Sequence, residues 1–233
     1  MTLLATKNKI QDIEYSLKKS KRKTASIYVE RDGAISVFVP QHLTDEEIHK
    51  LVNSKLYQIY KHMAEWEDAN TSRVYREFVN GEGFLYLGRT YRLEVIKGQK
   101  VPLKLKNGYF LLNKSDLPSA KQVFIDFYKE RGRERINERV VFWAKQLGVN
   151  PKEVRVMELK NRWGSCSEKG TVNFHWKCTM APLTIIDYII AHELTHLIHP
   201  NHTDAFWNQL DKVMPDFQER KSWLKLYGAG MDL

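Results

Sequence analysis

His192-Glu193-Leu194-Thr195-His196, with His202 six residues further on, is the stretch whose reading decides the fold and the chemistry of this chain. Residues four apart on a helix share a face, with about 5–6 Å between their Cβ atoms. Two imidazoles placed in this way can take one zinc ion at about 2.0–2.1 Å each. Glu193 stands beside them and can serve as general base toward a water that the zinc activates. His202 is the natural third ligand. That leaves one tetrahedral position open for water or substrate, the mark of a catalytic rather than a structural zinc. His199, three residues after His196, can also approach the ion. It is read as a supporting or surface residue, with His202 as the ligand.

The flanking residues agree with a helix. Ile185, Ile186, Ile189, Ile190, Leu194, Leu197 and Ile198 recur with helical spacing through the motif. Pro182 suits a helix start and Pro200 forbids continuation, so the helix is expected from about Leu183 to His199. Asn201 tolerates a left-handed conformation better than most residues, which would swing His202 back toward the metal.

Further landmarks surround this helix. Asn161-Arg162-Trp163-Gly164-Ser165-Cys166-Ser167 precedes it and Asn201-His202-Thr203-Asp204-Ala205-Phe206-Trp207 follows it. Between them lie Asn173-Phe174-His175-Trp176 and the run from Ala181 to Tyr188. Weaker landmarks reach upstream: the basic Lys21-Arg22-Lys23-Thr24, Val39-Pro40, and Tyr86-Leu87-Gly88-Arg89-Thr90-Tyr91. Together they resemble the YgjP-like family of predicted metal-dependent hydrolases, usually classed as zinc metallopeptidases. The resemblance covers most of the chain and is strongest after Asn161. It implies that His192, His196 and His202 bind one zinc ion and that Glu193 is the catalytic base. A related group of DNA-repair-associated proteases shares the zinc motif, but many of those carry a cysteine-rich zinc ribbon that has no counterpart here.

Composition narrows the setting. The 233 residues include 42% hydrophobic residues, enough for a sizeable core. No apolar run approaches the ~20 residues of a membrane span, and the start of the chain is too soon polar for a signal peptide. A cytoplasmic location is therefore expected, with Cys166 and Cys178 as free thiols. The net charge of +9, from 37 Lys and Arg against 28 Asp and Glu, is compatible with nucleotides, nucleic acid or acidic polypeptides as partners. Lys18-Lys19-Ser20-Lys21-Arg22-Lys23 is the densest basic run, but no helix-turn-helix, zinc-finger or RNA-binding signature accompanies it.

The expected architecture is α+β: a zincin-like C-terminal metallopeptidase core, made of a small sheet and the active-site helix, preceded by a β-rich N-terminal region. Ala25 to Val39 alternates around Asp32-Gly33 as a hairpin. Thr44 and Glu47 form a capping box that opens a helix to about Trp66. A second β-rich stretch runs from Phe84 to Leu112, with a tight turn at Asn107-Gly108. A long helix spans Ser119 to Leu147 and ends at Gly148. Its expected buried stripe is Phe124, Tyr128, Ile136, Val140, Trp143, Ala144 and Leu147. The break near Asp116-Ser119 divides residues 1–116 from 117–233. Strands are expected at Val154–Leu159 and Thr171–Cys178, and helices from near Thr203 and Asp216.

The activity expected from the residues is peptide-bond hydrolysis, with substrate laid along the edge of the Thr171–Cys178 strand. Arg162, Ser165 and the backbone around Gly164 are the candidates for steadying an anionic transition state. Asp187 is read as a helix-surface carboxylate, or as a residue orienting a zinc histidine. Phe206 and Trp207 are read as core residues that anchor His202. Two other readings stay open: a metal-dependent phosphoanhydride hydrolase acting on nucleotides, which Arg162 would suit, and a nucleic-acid-associated zinc protein.

Overall fold

Alternation of buried and outward-facing side chains along its two central strands builds the first sheet. The computed structural model describes residues 6–30, 33–70, 76–160 and 162–233. Met1–Ala5, Asp32 and Asn161, on which parts of the sequence reading rest, lie outside them. Strands β1 (Thr6–Ile10), β2 (Ile13–Ser20), β3 (Ser26–Val29) and β4 (Ile35–Pro40) pair in the order β1-β2-β4-β3. The central β2–β4 pair is parallel and the outer pairs are antiparallel. The β3–β4 hairpin falls within the expected stretch, with Gly33 at φ 83° in its turn.

Helices α1 (Asp45–Ser54) and α2 (Leu56–Asn70) follow. The capping box is present: Glu47 N–H donates to Thr44 Oγ1 at 3.3 Å, and Thr44 N–H donates to Glu47 Oε2 at 2.8 Å. The single helix expected to Trp66 is instead two, because the chain turns at Lys55 (φ −106°, ψ 1°). Ile13, Tyr15, Leu17, Ile35, Val37 and Val39 meet Ile48, Val52 and Ile59 in a core of their own.

A second sheet repeats that strand order. Strands β5 (Gly83–Tyr86), β6 (Arg89–Ile96), β7 (Leu103–Lys106) and β8 (Tyr109–Asn113) pair as β5-β6-β8-β7, again with the central pair parallel. Asn107 (φ 52°) and Gly108 (φ 83°) make the tight β7–β8 turn. The long helix α3 (Ala120–Leu147) ends where Gly148 turns left-handed at φ 67°. All seven residues of its expected stripe are buried. Phe84, Phe110, Phe124 and Tyr128 form a continuous aromatic contact, and Tyr128 Oη donates to Leu85 O at 2.6 Å.

The third sheet holds three strands, β9 (Glu153–Met157), β10 (Gly164–Cys166) and β11 (Thr171–His175), in the order β10-β11-β9. Gly132 on α3 admits it closely: a Cβ there would lie 2.8 Å from Thr179 and 3.3 Å from Val156. Helices α4 (Leu183–Thr195), α5 (Asp204–Val213) and α6 (Phe217–Tyr227) complete the fold. Among the described residues no helix is long and apolar enough to cross a membrane.

The chain divides into compact units at Met1–Thr71 and Ser72–Leu233, not near Asp116. The reason lies in the packing. Phe84, Leu93, Phe110 and Leu112 of the second sheet share one core with α3, the third sheet and α4 to α6. A break at Asp116 would strip that sheet of the helix that covers it.

Candidate metal centre

Helix α4 is buried almost all round, through Ile185, Ile186, Tyr188, Ile189, Ile190, Ala191 and Leu194. Its axial position is fixed at its start and along its flank. At its start, the turn at Leu87 and Gly88 donates backbone hydrogen bonds to Thr179 O (2.8 Å) and Met180 O (3.0 Å). A Cβ on Gly88 would lie 2.8 Å from Pro182, so this left-handed position (φ 76°) also needs an absent side chain. Along its flank, Arg139 of α3 forms a two-pronged ion pair with Asp187, at 2.6 and 2.7 Å. Asp187 is thus neither a surface carboxylate nor a partner of a histidine; it fastens α4 to α3.

The helix stops at Thr195, earlier than His199. One further turn holds through bonds from Ile198 N–H (3.0 Å) and His199 N–H (2.9 Å) to Thr195 O. Pro200 ends it. Asn201 is not among the left-handed residues. The chain reverses instead through a tight bond from Thr203 N–H to Asn201 O at 2.8 Å, directly before α5.

His192, His196 and His202 converge, with their ligand atoms all within 4.8 Å of one another. His192 Nε2 and His202 Nε2 are 2.9 Å apart. Nitrogens on a tetrahedral zinc with bonds of about 2.0–2.1 Å would stand roughly 3.4 Å apart. The set therefore fits such an ion. Burial, with the neighbouring His196, His202 and Lys221, drives His192 down to about 3; burial also lowers His202. Both are thereby kept in the neutral form that ligates. His196 Nδ1 lies 3.1 Å from His199 O, an arrangement that frees Nε2 for a ligand bond. His199 contributes its carbonyl, and its ring is not part of the cluster.

Phe206 is fully buried, and its ring centroid lies 4.9, 4.6 and 4.7 Å from the rings of His192, His196 and His202. Trp207 stacks on His202 at 5.4 Å and on Phe217 at 5.5 Å. These two residues pack as core and also form the wall of the histidine cluster. Sequence patterning could supply only the first half of that statement.

Glu193 is 8% exposed, and burial pushes its carboxyl up to about 7, opposed by the Arg162 charge. The strand β10 passes directly over it. A Cβ on Gly164 would lie 2.5 Å from Glu193 Cγ and 2.8 Å from its Oε1, so only glycine admits this approach. Gly164 and Ser165 belong to a strand. Ser165 Oγ accepts from Asn173 Nδ2 at 3.1 Å, and Arg162 is exposed. Burial raises the free thiols of Cys166 and Cys178, with the nearby Glu193 carboxylate adding to it, so neither is a ready thiolate. Tyr188, also near Glu193, is pushed up to about 12 by burial, and its ring lies 5.8 Å from His192. Strand β11 is the middle strand, so the edge beside Glu193 belongs to β10 and not to Thr171–Cys178.

An α+β chain arranged in this way falls in the class of metal-dependent hydrolases. Residues 23–227 match the family model described as YgjP-like, metallopeptidase domain, and the chain belongs to that family. Membership implies a metal ion. Among solved structures, one that matches is the metallopeptidase zymogen of Pyrococcus abyssi abylysin, at 24% identity over 42% of this chain and 99% of that one, with a TM-score of 0.37. No curated protein sequence matches.

Proposed function

We propose that this protein is a zinc-dependent peptidase in which His192, His196 and His202 hold one zinc ion and Glu193 is the general base. The observation that carries the reading is the approach of Gly164 to Glu193. It sets an open strand edge against a buried carboxylate, next to three convergent imidazoles. When bound there, zinc would polarise a carbonyl oxygen and lower the pKa of a water toward ~7.

The remaining work falls to the chain. Among the described residues, β10 pairs only with β11, which leaves its outer edge free to take an extended peptide as an added strand. A peptide on that edge passes Glu193, which accepts a proton from the attacking water and delivers it to the leaving amine. Ser165 lies between Trp163, whose carbonyl accepts from His175 N–H, and Ser167, whose N–H donates to Thr171 O, so its backbone faces β11 and the outer edge offers the backbone groups of Gly164 and Cys166 to substrate. Arg162, whose charge reaches Glu193, is the side chain placed to steady developing negative charge. The chain would work as a soluble cytoplasmic enzyme.

The deciding experiment incubates the zinc-loaded protein and its Glu193→Gln variant with one mixed pool of peptides and nucleoside triphosphates, read by mass spectrometry. New peptide termini from the parent alone support the proposal, provided that the variant retains zinc. Nucleoside monophosphates or diphosphates beside intact peptides would replace it with phosphoanhydride hydrolysis.

A further inference from the structure

Alternation along the first sheet sends one set of side chains to the core and the other outward. Ile35, Val37 and Val39 of β4 are buried, so Ser36 and Phe38 face out. The register then builds two outward rows. One runs Lys7, Ser16, Ser36, Tyr28, and the other runs Lys18, Phe38, Ser26.

Two aromatic rings and several cations meet on this face. Tyr28 is 48% exposed and meets Phe38 edge-to-face, with ring centroids 5.6 Å apart. Lys18 Nζ stands 5.7 Å from the Phe38 centroid, and the Arg22 guanidinium stands 5.8 Å from it. Arg22 also donates to Ser26 Oγ at 2.6 Å, which holds it at the rim of the sheet. Lys18 has no acidic partner among the described residues, whereas Lys19 is tied to Asp45 at 2.9 Å.

The charge is one-sided. Seven of the chain's Lys and Arg residues lie between Lys7 and Lys23, against two acids, Asp12 and Glu14. Asp12 accepts a hydrogen bond from Tyr60 of α2, and Glu14 pairs with Lys9 across the β1–β2 hairpin, away from the aromatic pair. From Asp45 to Asp68, along the helices that cover the other face, acids outnumber basic residues by six to three. The second sheet has the same strand order and outward rows of Arg92, Tyr109, Lys106 and of Glu94, Leu111, Lys104. It carries one exposed ring instead of a packed aromatic pair, and Glu94 stands among its cations.

We propose that the outward face of the first sheet binds single-stranded nucleic acid, with a base stacked on the exposed Tyr28 ring, which Phe38 backs, and phosphates met by Lys7, Lys18 and Arg22. Exposed aromatic faces favour unpaired bases, because a duplex keeps its bases stacked on one another. The flanking cations suit a backbone charged at every nucleotide. The wide side-chain spacing of a sheet lets successive bases lie flat along it.

The test measures fluorescence anisotropy of a labelled dT oligomer of about twelve nucleotides with the full chain. Salt is varied from about 50 to 200 mM. Tyr28 is exposed enough to change without disturbing the core. Tyr28→Ala is expected to weaken binding roughly five- to a hundredfold. Lys18→Ala is expected to lower the slope of log affinity against log salt by about one. An abasic oligomer of equal length should bind more weakly and ignore Tyr28→Ala, and Lys106→Ala on the second sheet should change nothing. No binding at low salt overturns the proposal. So does equal binding of the abasic oligomer, equal binding of a duplex, or displacement by poly-glutamate with Tyr28→Ala silent, since each of these describes a general polyanion or acidic-peptide surface instead.

Discussion

The two four-stranded sheets share strand order and strand directions, yet they end in different employment. The second sheet buries Phe84, Leu93, Phe110 and Leu112 in the large core and sends its β5–β6 turn against the start of α4. The first buries Ile13, Leu17, Val37 and Val39 under two short helices and turns a basic, aromatic face outward. Topology is therefore not the source of function in either one. What differs is the partner laid on the apolar face and the chemistry left on the other.

Four substitutions probe that comparison. Phe110→Ala should cost the larger unit about 3–5 kcal/mol, because the ring contacts five aromatic neighbours in a packed interior. Hydrogen exchange should show the loss across α3 and the third sheet while β1–β4 keep their protection; a loss shared by both units would dissolve the distinction. Gly164→Ala should lower kcat about a hundredfold with the fold retained, since displacing Glu193 by about 1 Å misaligns the base. Unchanged steady-state turnover would remove β10 from the site. Asp187→Ala leaves Arg139 half-buried without its partner and should lower stability by about 1–3 kcal/mol, read as a shift in urea midpoint. Thr44→Ala removes the capping box of α1 and should cost about 1 kcal/mol, confined to the smaller unit. An effect on zinc content from this last change would show that the two units are coupled.

Much of this was legible in the chain. The approach of His192 to His196, the α3 stripe, the Thr44–Glu47 box and the Asn107-Gly108 turn all arise from residues close in sequence, and each appears where expected. What escaped depends on distant partners. Strand β10 is three residues long and opens with a glycine, which reads as a turn until Glu193 is seen beneath it. The division at Thr71/Ser72 was hidden because the second sheet finds its cover in α3, beyond the break that composition suggested. The turn at Lys55 and the ordinary backbone of Asn201 were local matters that propensity does not settle. The repeated strand order leaves no repeat in the residues at all, because pairing order is a property of the sheet.

The contact between Gly88 and Pro182 bears on how activity would fail. Pro182 lies ten residues before His192, about 15 Å along a helix. The β5–β6 turn acts there as a mechanical stop for α4, in a region with no chemistry of its own. If warming loosens the second sheet first, the stop withdraws while α4 is still helical. Catalysis would then fade ahead of the helical circular dichroism, and the early inactivation would be reversible on cooling.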